Sequence, residues 1–339
     1  MDDFFQKYKT YLNELNQELR LLYHPSRCLK YKKGINLFRI AYSTLASGGK
    51  LLRSLLALLS CEAICGDYKP ALPIAIAYEL SHNASLVQDD IIDNSNFRRG
   101  RPTIHSEYRI STAILVADLF LFQIFNSIAK YKNYNLSKER LCQILEMGGN
   151  CSREVAIGEY LDEKFSGKIN LPEKDYFLLI SLKTGKLFAG PTACGAIVGN
   201  GTEKEINTLY KIGEKIGIAF QIFDDLLDIT SQEKILKKPV FSDIKNGRQN
   251  LVILHAFKNS SLKSRKFLKE IFGEKHLTPK EEKKLKEILN ETKSIEYAQE
   301  KCEKLITQVE KDLRKVKNDY YSAKEKILDV AKFVIARNL

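Results

Sequence analysis

The chain has 339 residues, of which 44% are hydrophobic, and its 54 Lys and Arg against 42 Asp and Glu leave a formal charge of +12. That composition excludes a disordered segment, since it can fill a large core, and seven scattered cysteines, an odd number, fit reduced thiols rather than a disulfide framework. No Pro/Gly/Ser-rich linker or abrupt change of composition divides the chain, so a single domain over residues 1–339 is expected. No run is read as approaching the roughly 18 apolar residues of a membrane span. The first residues show neither signal nor transit pattern, and a soluble, cytoplasmic protein is expected. Positive charge favours anionic partners. The densest lysine runs, such as Lys280-Glu281-Glu282-Lys283-Lys284, are interleaved with glutamate and no nucleic-acid reader motif is present, so nucleic acid is not an expected partner.

Apolar residues recur at three- and four-residue spacing through nearly every long segment, and strand-like alternation bounded by hairpin turns is missing, so the fold class is all-α. In chain order the pattern predicts helices over 3–23, stopped near Pro25, and over 35–46, ending at Gly48-Gly49. A third runs over 51–65, and a fourth over 71–96 before the break at Gly100 and Pro102. Others follow over 105–131, 137–165, 172–199 and 203–230. After a polar loop from Thr230 to Gly247, shorter helices are expected near 248–258, 260–272, 279–291, 294–315 and 320–337. Thr278-Pro279 ahead of Glu281 is a helix start, with a hydroxyl cap and proline in the first turn. Cys61 and Cys65 lack a third ligand nearby and read as core packing.

Two clusters of one form, Asp89-Asp90-Ile91-Ile92-Asp93 and Asp224-Asp225-Leu226-Leu227-Asp228, close the 71–96 and 203–230 helices. Helical geometry stacks Asp89 on Asp93 and Asp224 on Asp228, a turn apart on one face, with Asp90 and Asp225 beside them. Carboxylates crowded into apolar helices repel one another and are costly to desolvate, so a cation is expected to neutralise them. Magnesium, which takes few protein ligands and fills its shell with water and phosphate oxygens, suits both clusters. Side chains converging from facing helices are how bundles build metal sites.

Basic elements accompany the clusters. Gly48-Gly49 precedes a helix start carrying Lys50 and Arg53, a combination of amides and cations that suits a diphosphate. Arg98 and Arg99 follow the first aspartates by one to two turns. Lys183-Thr184-Gly185-Lys186 places a cation and a hydroxyl in an apolar helix, and Lys237-Lys238-Pro239 with Asp243 lies in the loop after the second cluster. His82 stands two turns before Asp89 on roughly the same face.

Together these motifs resemble the trans-isoprenyl diphosphate synthases, the family of farnesyl, geranylgeranyl and longer polyprenyl diphosphate synthases. The match runs from about 45 to 250, with 251–339 a helical packing region. The resemblance implies a bundle of ten or more helices around a deep cavity, a homodimer, and Mg2+, about three ions per site once diphosphate is bound. It implies head-to-tail condensation of isopentenyl diphosphate with an allylic diphosphate. Asp89, Asp93 and Asp224 would be principal metal ligands, with Asp90, Asp225 and Asp228 assisting. Lys50, Arg53, His82 and Arg99 would hold isopentenyl diphosphate. Arg98, Lys183, Thr184, Gln221 and Lys238 would contact the allylic diphosphate or its metals, with Arg98 and Lys183 among the catalytic groups. The product could partition to membranes.

The chain departs from the family pattern at Leu51, where a basic residue is usual, at Ser54, where proline is usual, and at Asn250, where a hydroxyl is usual. Weaker or altered diphosphate binding is expected there. The small residues Ala84 and Ser85, five and four before Asp89, leave the growth path open and imply a product of C20 or longer, with Phe120, Phe122 or Phe125 available as a floor. A class I terpene cyclase and a non-catalytic subunit of a heteromeric synthase are the rival readings. The cyclase would lack the second DDxxD and the Lys50/Arg53 site, and the subunit could dispense with a metal cluster.

Overall fold

The computed structural model describes residues 2–24, 29–230, 240–317 and 320–336. It is almost wholly helical: α1 (Asp2–Lys7), α2 (Lys9–Leu22), α3 (Ile35–Ala46), α4 (Leu52–Cys65), α5 (Leu72–Ile92), α6 (Ile104–Glu107), α7 (Ile110–Ala129) and α8 (Lys138–Phe165). Then come α9 (Glu173–Ile180), α10 (Lys186–Val198), α11 (Glu203–Thr230), α12 (Ser242–Lys245), α13 (Leu251–Asn259), α14 (Leu262–Ile271), α15 (Pro279–Glu291), α16 (Ser294–Leu313) and α17 (Tyr321–Ile335). The expected helix start at Thr278 is a full capping box with Glu281. Thus the all-α reading holds, with one addition. A two-residue-strand hairpin, β1 (Phe97–Arg98) and β2 (Arg101–Pro102), follows α5, and its turn residues Arg99 and Gly100 both have positive φ, 53° and 76°. Two left-handed residues in a row make the type I′ turn, which matches the twist of the strands it joins.

The chain falls into two compact units: Met1–Met147 with Pro191–Ile206 and Asn318–Ile327, and Gly148–Gly190 with Asn207–Lys317 and Leu328–Leu339. In the first, α4 is apolar on all sides because it is buried on all sides, Leu55, Leu56, Leu58 and Leu59 being fully enclosed. It meets the 191–198 end of α10 backbone to backbone: a Cβ on Gly195 would lie 2.1 Å from the Ala57 carbonyl oxygen, and Ser60 donates to the Thr192 carbonyl at 2.6 Å. α5 packs along α7, burying Ala84, Val87, Ala113, Ala117 and Phe120.

The segment Ile110–Asn133 is long and apolar enough to cross a membrane by length and composition, contrary to the sequence reading, and only 28% of its window is buried. Its exposed stripe contains Ile110, Ile114, Leu115, Phe122 and Phe125. Phe122 and Phe125 are 65% and 66% exposed, whereas Phe120 is enclosed edge-on against Tyr23. Cys65 also departs from expectation. It is exposed at the end of α4, with only Cys61 in the core.

In the second unit the core joins Tyr176 and Ile180 of α9, Ile222, Phe223 and Leu226 of α11, and apolar residues of α13 through α16. Between α9 and α10 the helix widens into a π turn at Ser181–Gly185. That turn is clamped by two glycines, since a Cβ on Gly158 of α8 would lie 2.4 Å from the Lys183 nitrogen and one on Gly217 of α11 would lie 2.8 Å from Gly185 Cα. Bulges of this kind re-aim side chains, and this one carries Lys183 and Thr184.

Candidate active site

In the first unit, α4, α5 and the hairpin bring cations to one place. Leu51, in the left-handed region at φ 50°, is the N-cap of α4, so Lys50 precedes the helix rather than riding its first turn as expected. Leu51 is also buried at 6% exposure, so this departure from the family pattern is an apolar anchor. Arg53 in the first turn donates through Nη1 to His82 Nε2 at 3.1 Å. Because a guanidinium has no acceptor, Nε2 must carry the lone pair and Nδ1 the proton. Burial and then the nearby Arg53, Arg99 and Arg98 push His82 well below the usual histidine range, which keeps it neutral. Its Nδ1 is buried and has no hydrogen-bond partner among the described residues. The type I′ turn swings Arg99 back so that its guanidinium lies against Gly49, 3.3 Å from where a Cβ would be.

Sequence reasoning missed what lies beneath this cluster. Glu79, 4% exposed, accepts from Ser54 Oγ at 3.2 Å and from Asn83 Nδ2 at 3.2 Å. Burial pushes its carboxyl up, against the pull of Arg53. Ser54 also donates to the Ala75 carbonyl at 2.8 Å, so the residue standing where proline is usual ties α4 to α5. The available signal was a glutamate inside an otherwise apolar helix, three residues before His82.

Asp89 and Asp93 sit at the end of α5, Asp93 as its C-cap. Asp90 is buried and bound by Arg98 Nε at 2.6 Å. Of the chain-length positions, Ala84 is fully enclosed and Ser85 Oγ donates to the His82 carbonyl at 2.9 Å.

In the second unit Lys183 Nζ lies 2.6 Å from Asp162 and 3.0 Å from Glu159, both on α8. Burial opposes its charge, but Asp162 and Glu159 outweigh it and hold the ammonium above its ordinary range. Neither carboxylate was picked out from sequence, although their i, i+3 spacing was visible. Thr184 Oγ1 donates to Gln221 Oε1 at 3.0 Å, and Gln221 Nε2 to Asp225 Oδ1 at 3.2 Å.

Asp225, 1% exposed, also accepts from Tyr176 OH at 2.5 Å and the Leu251 amide at 2.8 Å, while burial and then Asp243 push it well above the carboxylate range. Asp228 accepts from the amides of Ser242 and Asp243, each at 3.0 Å, and from the Ser242 hydroxyl. Asn250 Nδ2 donates to the Asp225 carbonyl and to Asp243 at 2.8 Å, and its Oδ1 caps α13. Its amide thus ties α11, Asp243 and α13 together.

Asp90, Asp225 and Asp228 have carboxylates that already accept from Arg98, from Tyr176 and the Leu251 amide, and from the α12 amides. Asp89, Asp93 and Asp224 are half-buried carboxylates, hard oxygen donors of the type magnesium takes. No group of three or more metal-binding side chains is preassembled among the described residues. Lys238 lies outside them.

The comparisons fit this geometry. Residues 36–292 match the family model "Polyprenyl synthetase", and the chain belongs to that family. It is 38% identical over 237 residues to a short chain isoprenyl diphosphate synthase of Methanothermobacter thermautotrophicus, covering 70% of this chain and 72% of the relative. It is 30% identical over 301 residues to a geranylgeranyl diphosphate synthase of Sulfolobus acidocaldarius, covering 89% and 91%. The crystal structure of a geranylgeranyl pyrophosphate synthetase from Pyrococcus horikoshii superposes with a TM-score of 0.89 at 32% identity, covering 99% of each chain.

Proposed function

We propose that this chain is a magnesium-dependent trans-prenyltransferase that condenses isopentenyl diphosphate head-to-tail with an allylic diphosphate. The product is an all-trans prenyl diphosphate of C20 or longer. The observation that carries this reading is the cluster of Arg53 and Arg99 around His82, which stands on the helix that ends in Asp89 and Asp93. Guanidiniums gathered around a neutral histidine suit a phosphate oxygen. Here Arg53, Arg99, His82 and Lys50 hold the diphosphate of isopentenyl diphosphate. Asp89, Asp93 and Asp224 hold magnesium, which when bound supplies positive charge to the allylic leaving group.

Ionisation of an allylic C–O bond leaves a carbocation that water would quench, so the apolar surfaces of the helices must exclude water as the substrate double bond attacks. Thr184 and Gln221, already hydrogen-bonded to each other, position the allylic diphosphate, with Lys238 and the anchored Arg98 and Lys183 adding charge. The geranylgeranyl synthase relatives support the C20 end of the range, as do the small Ala84 and Ser85. The exposed apolar stripe of α7 supports a homodimer, and the reading puts the enzyme in the cytoplasm.

The test is incubation with magnesium, labelled isopentenyl diphosphate and, separately, dimethylallyl, geranyl, farnesyl and geranylgeranyl diphosphate, with the dephosphorylated products sized by chromatography. A ladder ending at C20 or beyond, abolished by a chelator, is the expected result. A hydrocarbon from a primer alone would mean a terpene cyclase. No reaction at all would mean a non-catalytic subunit.

A further inference from the structure

The last turn of α4 puts two thiols in contact. Cys61 and Cys65 are four apart, so they stack on one face of the helix, and their sulfurs lie 3.7 Å from each other. Cys61 is fully enclosed, whereas Cys65 is exposed and its thiol donates to the Asp67 carbonyl at 3.2 Å. The two therefore differ in access, and an oxidant arriving from solvent meets Cys65 first. A hydrogen bond from Cys61 draws the Cys65 thiol down, and the same contact together with burial pushes Cys61 up. The carboxyl end of α4 opposes a thiolate, so the contact with Cys61 is what lets Cys65 ionise first. Neither sulfur has a part in the diphosphate chemistry proposed above.

The end of the helix also decides what a bond between them would do. Side chains at i and i+4 of a regular helix have Cβ atoms roughly 5–6 Å apart, and a disulfide needs roughly 3.5–4.5 Å. A bridge therefore cannot form on an undisturbed turn. Cys65 is the last residue of α4, and Gly66 follows in the left-handed region at φ 81°, its amide bonded to the Glu62 carbonyl at 2.8 Å. This terminal turn can tighten or unwind with no further helix beyond it to distort. Glu62, inside the same turn, accepts from Tyr11 OH of α2 and from Lys326 Nζ of α17, each at 2.7 Å. Movement of the turn is thus felt where the first and last helices of the first unit grip it.

We propose that Cys65 and Cys61 are a peroxide-oxidisable thiol pair, with Cys65 the attacking and Cys61 the resolving sulfur, whose closure reshapes the last turn of α4. In the first step the Cys65 sulfur attacks one oxygen of hydrogen peroxide, the O–O bond breaks, and Cys65 sulfenic acid and one water result. In the second the Cys61 sulfur displaces the hydroxyl from Cys65. The S–S bond forms, the S–O bond breaks, and the Cys61 proton leaves with the hydroxyl as a second water. Together the sulfurs give up two electrons, which the peroxide oxygens take. A thiol reductant reverses the bridge by exchange.

In the experiment the full-length protein is treated with hydrogen peroxide, the remaining thiols are alkylated, and the peptide containing both cysteines is weighed before and after reduction with dithiothreitol. Cys142, exposed on α8, is the internal reference. The peptide should lose two hydrogens, take up no alkyl group and recover both thiols on reduction, at peroxide levels that leave Cys142 alkylatable. Hydrogen exchange across 60–68 should quicken in the oxidised protein, led by the Gly66 amide. In Cys61→Ala the attacking sulfur has no resolving partner and should run on to sulfinic acid, which dithiothreitol does not reverse. In Cys65→Ser the enclosed Cys61 should stay reduced.

The proposal is overturned if Cys142 oxidises before the pair, or if Cys65 of the parent passes to sulfinic acid without bridging. It is overturned equally if Cys61→Ala leaves the oxidation of Cys65 as it is in the parent. A bridge that forms with exchange across 60–68 unchanged overturns the reshaping of the turn.

Discussion

The two Asp-Asp-x-x-Asp clusters are nearly the same in sequence and do different work in the structure. In the first, only Asp90 is buried, and a side chain, Arg98, answers it. Asp89 and Asp93 stay more accessible at the end of α5. In the second, Asp225 and Asp228 are both buried and are answered by the backbone amides of Ser242, Asp243 and Leu251 as well as by the side chains of Tyr176, Gln221 and Ser242. The difference lies in where the chain goes after each helix. α5 runs into a tight hairpin that returns arginines, whereas the chain after α11 comes back past the cluster with backbone amides to satisfy. A buried carboxylate is tolerable where several N–H groups converge on it. The second cluster therefore organises the 240–251 segment as well as presenting Asp224.

The sharpest way to break this comparison is alanine at each position. Asp89→Ala and Asp224→Ala should lower turnover by at least about 10²–10³-fold, the scale of losing one transition-state charge stabiliser, with the unfolding midpoint nearly unchanged. Asp225→Ala should instead cost about 3–5 kcal/mol, because it strands the Tyr176 hydroxyl and the Leu251 amide in a dry interior. Denaturant unfolding measured beside initial rates separates the two kinds of loss. Equal destabilisation by all three variants would remove the distinction.

A smaller effect is expected at Gly158, which belongs to the second unit. Its Cβ would meet Lys183 backbone at 2.4 Å and 2.7 Å, and backbone cannot step aside as a flexible side chain can. Gly158→Ala should cost about 1–3 kcal/mol by overpacking and displace the π turn, so that activity falls further than stability predicts. Arg99 in the first unit offers the opposite sign. It occupies a left-handed position that disfavours any side chain, so Arg99→Gly should gain roughly 1 kcal/mol in unfolding free energy while raising KM for isopentenyl diphosphate. A stabilised variant with weakened substrate binding would identify strain kept for function.

Helix type and order were legible because the apolar spacing is strong, and both aspartate clusters fall at helix ends as read. The hairpin was not legible, because Arg99-Gly100 is not the Asn-Gly signal of a type I′ turn and the strands are only two residues long. The burial of Asp225 and Asp228 was equally hidden. Sequence spacing places carboxylates on a face, but whether amides from residues 242–251 reach them depends on tertiary return of the chain. For the same reason the cap that Asn250 makes on α13 was not legible from its place in the sequence. Glu79 was passed over because a lone glutamate in an apolar helix has no motif. Its hydrogen bonds with Ser54 and Asn83 emerge only in the fold.

The smallest predicted effect concerns pH and again separates the clusters. His82 lies well below its ordinary value of 6.5, chiefly through burial and then through Arg53. Its folded state binds fewer protons than the unfolded chain between the depressed pKa and 6.5, so its contribution to stability is fully present above 6.5 and is lost as pH falls through that window. His82→Gln keeps an acceptor for the Arg53 guanidinium and has no proton to gain, so its unfolding free energy should decline less steeply below pH 6.5 than that of the parent. Asp225 acts with the opposite sign. A carboxylate held above its ordinary 3.8 is destabilising when charged, so its own effect favours the fold as pH drops toward that value. Urea unfolding of the parent and His82→Gln at several pH values between about 5 and 8 isolates the histidine, because the Asp225 contribution cancels in the difference. A parent and variant that decline in parallel would show that burial and the neighbouring arginines do not hold the imidazole neutral.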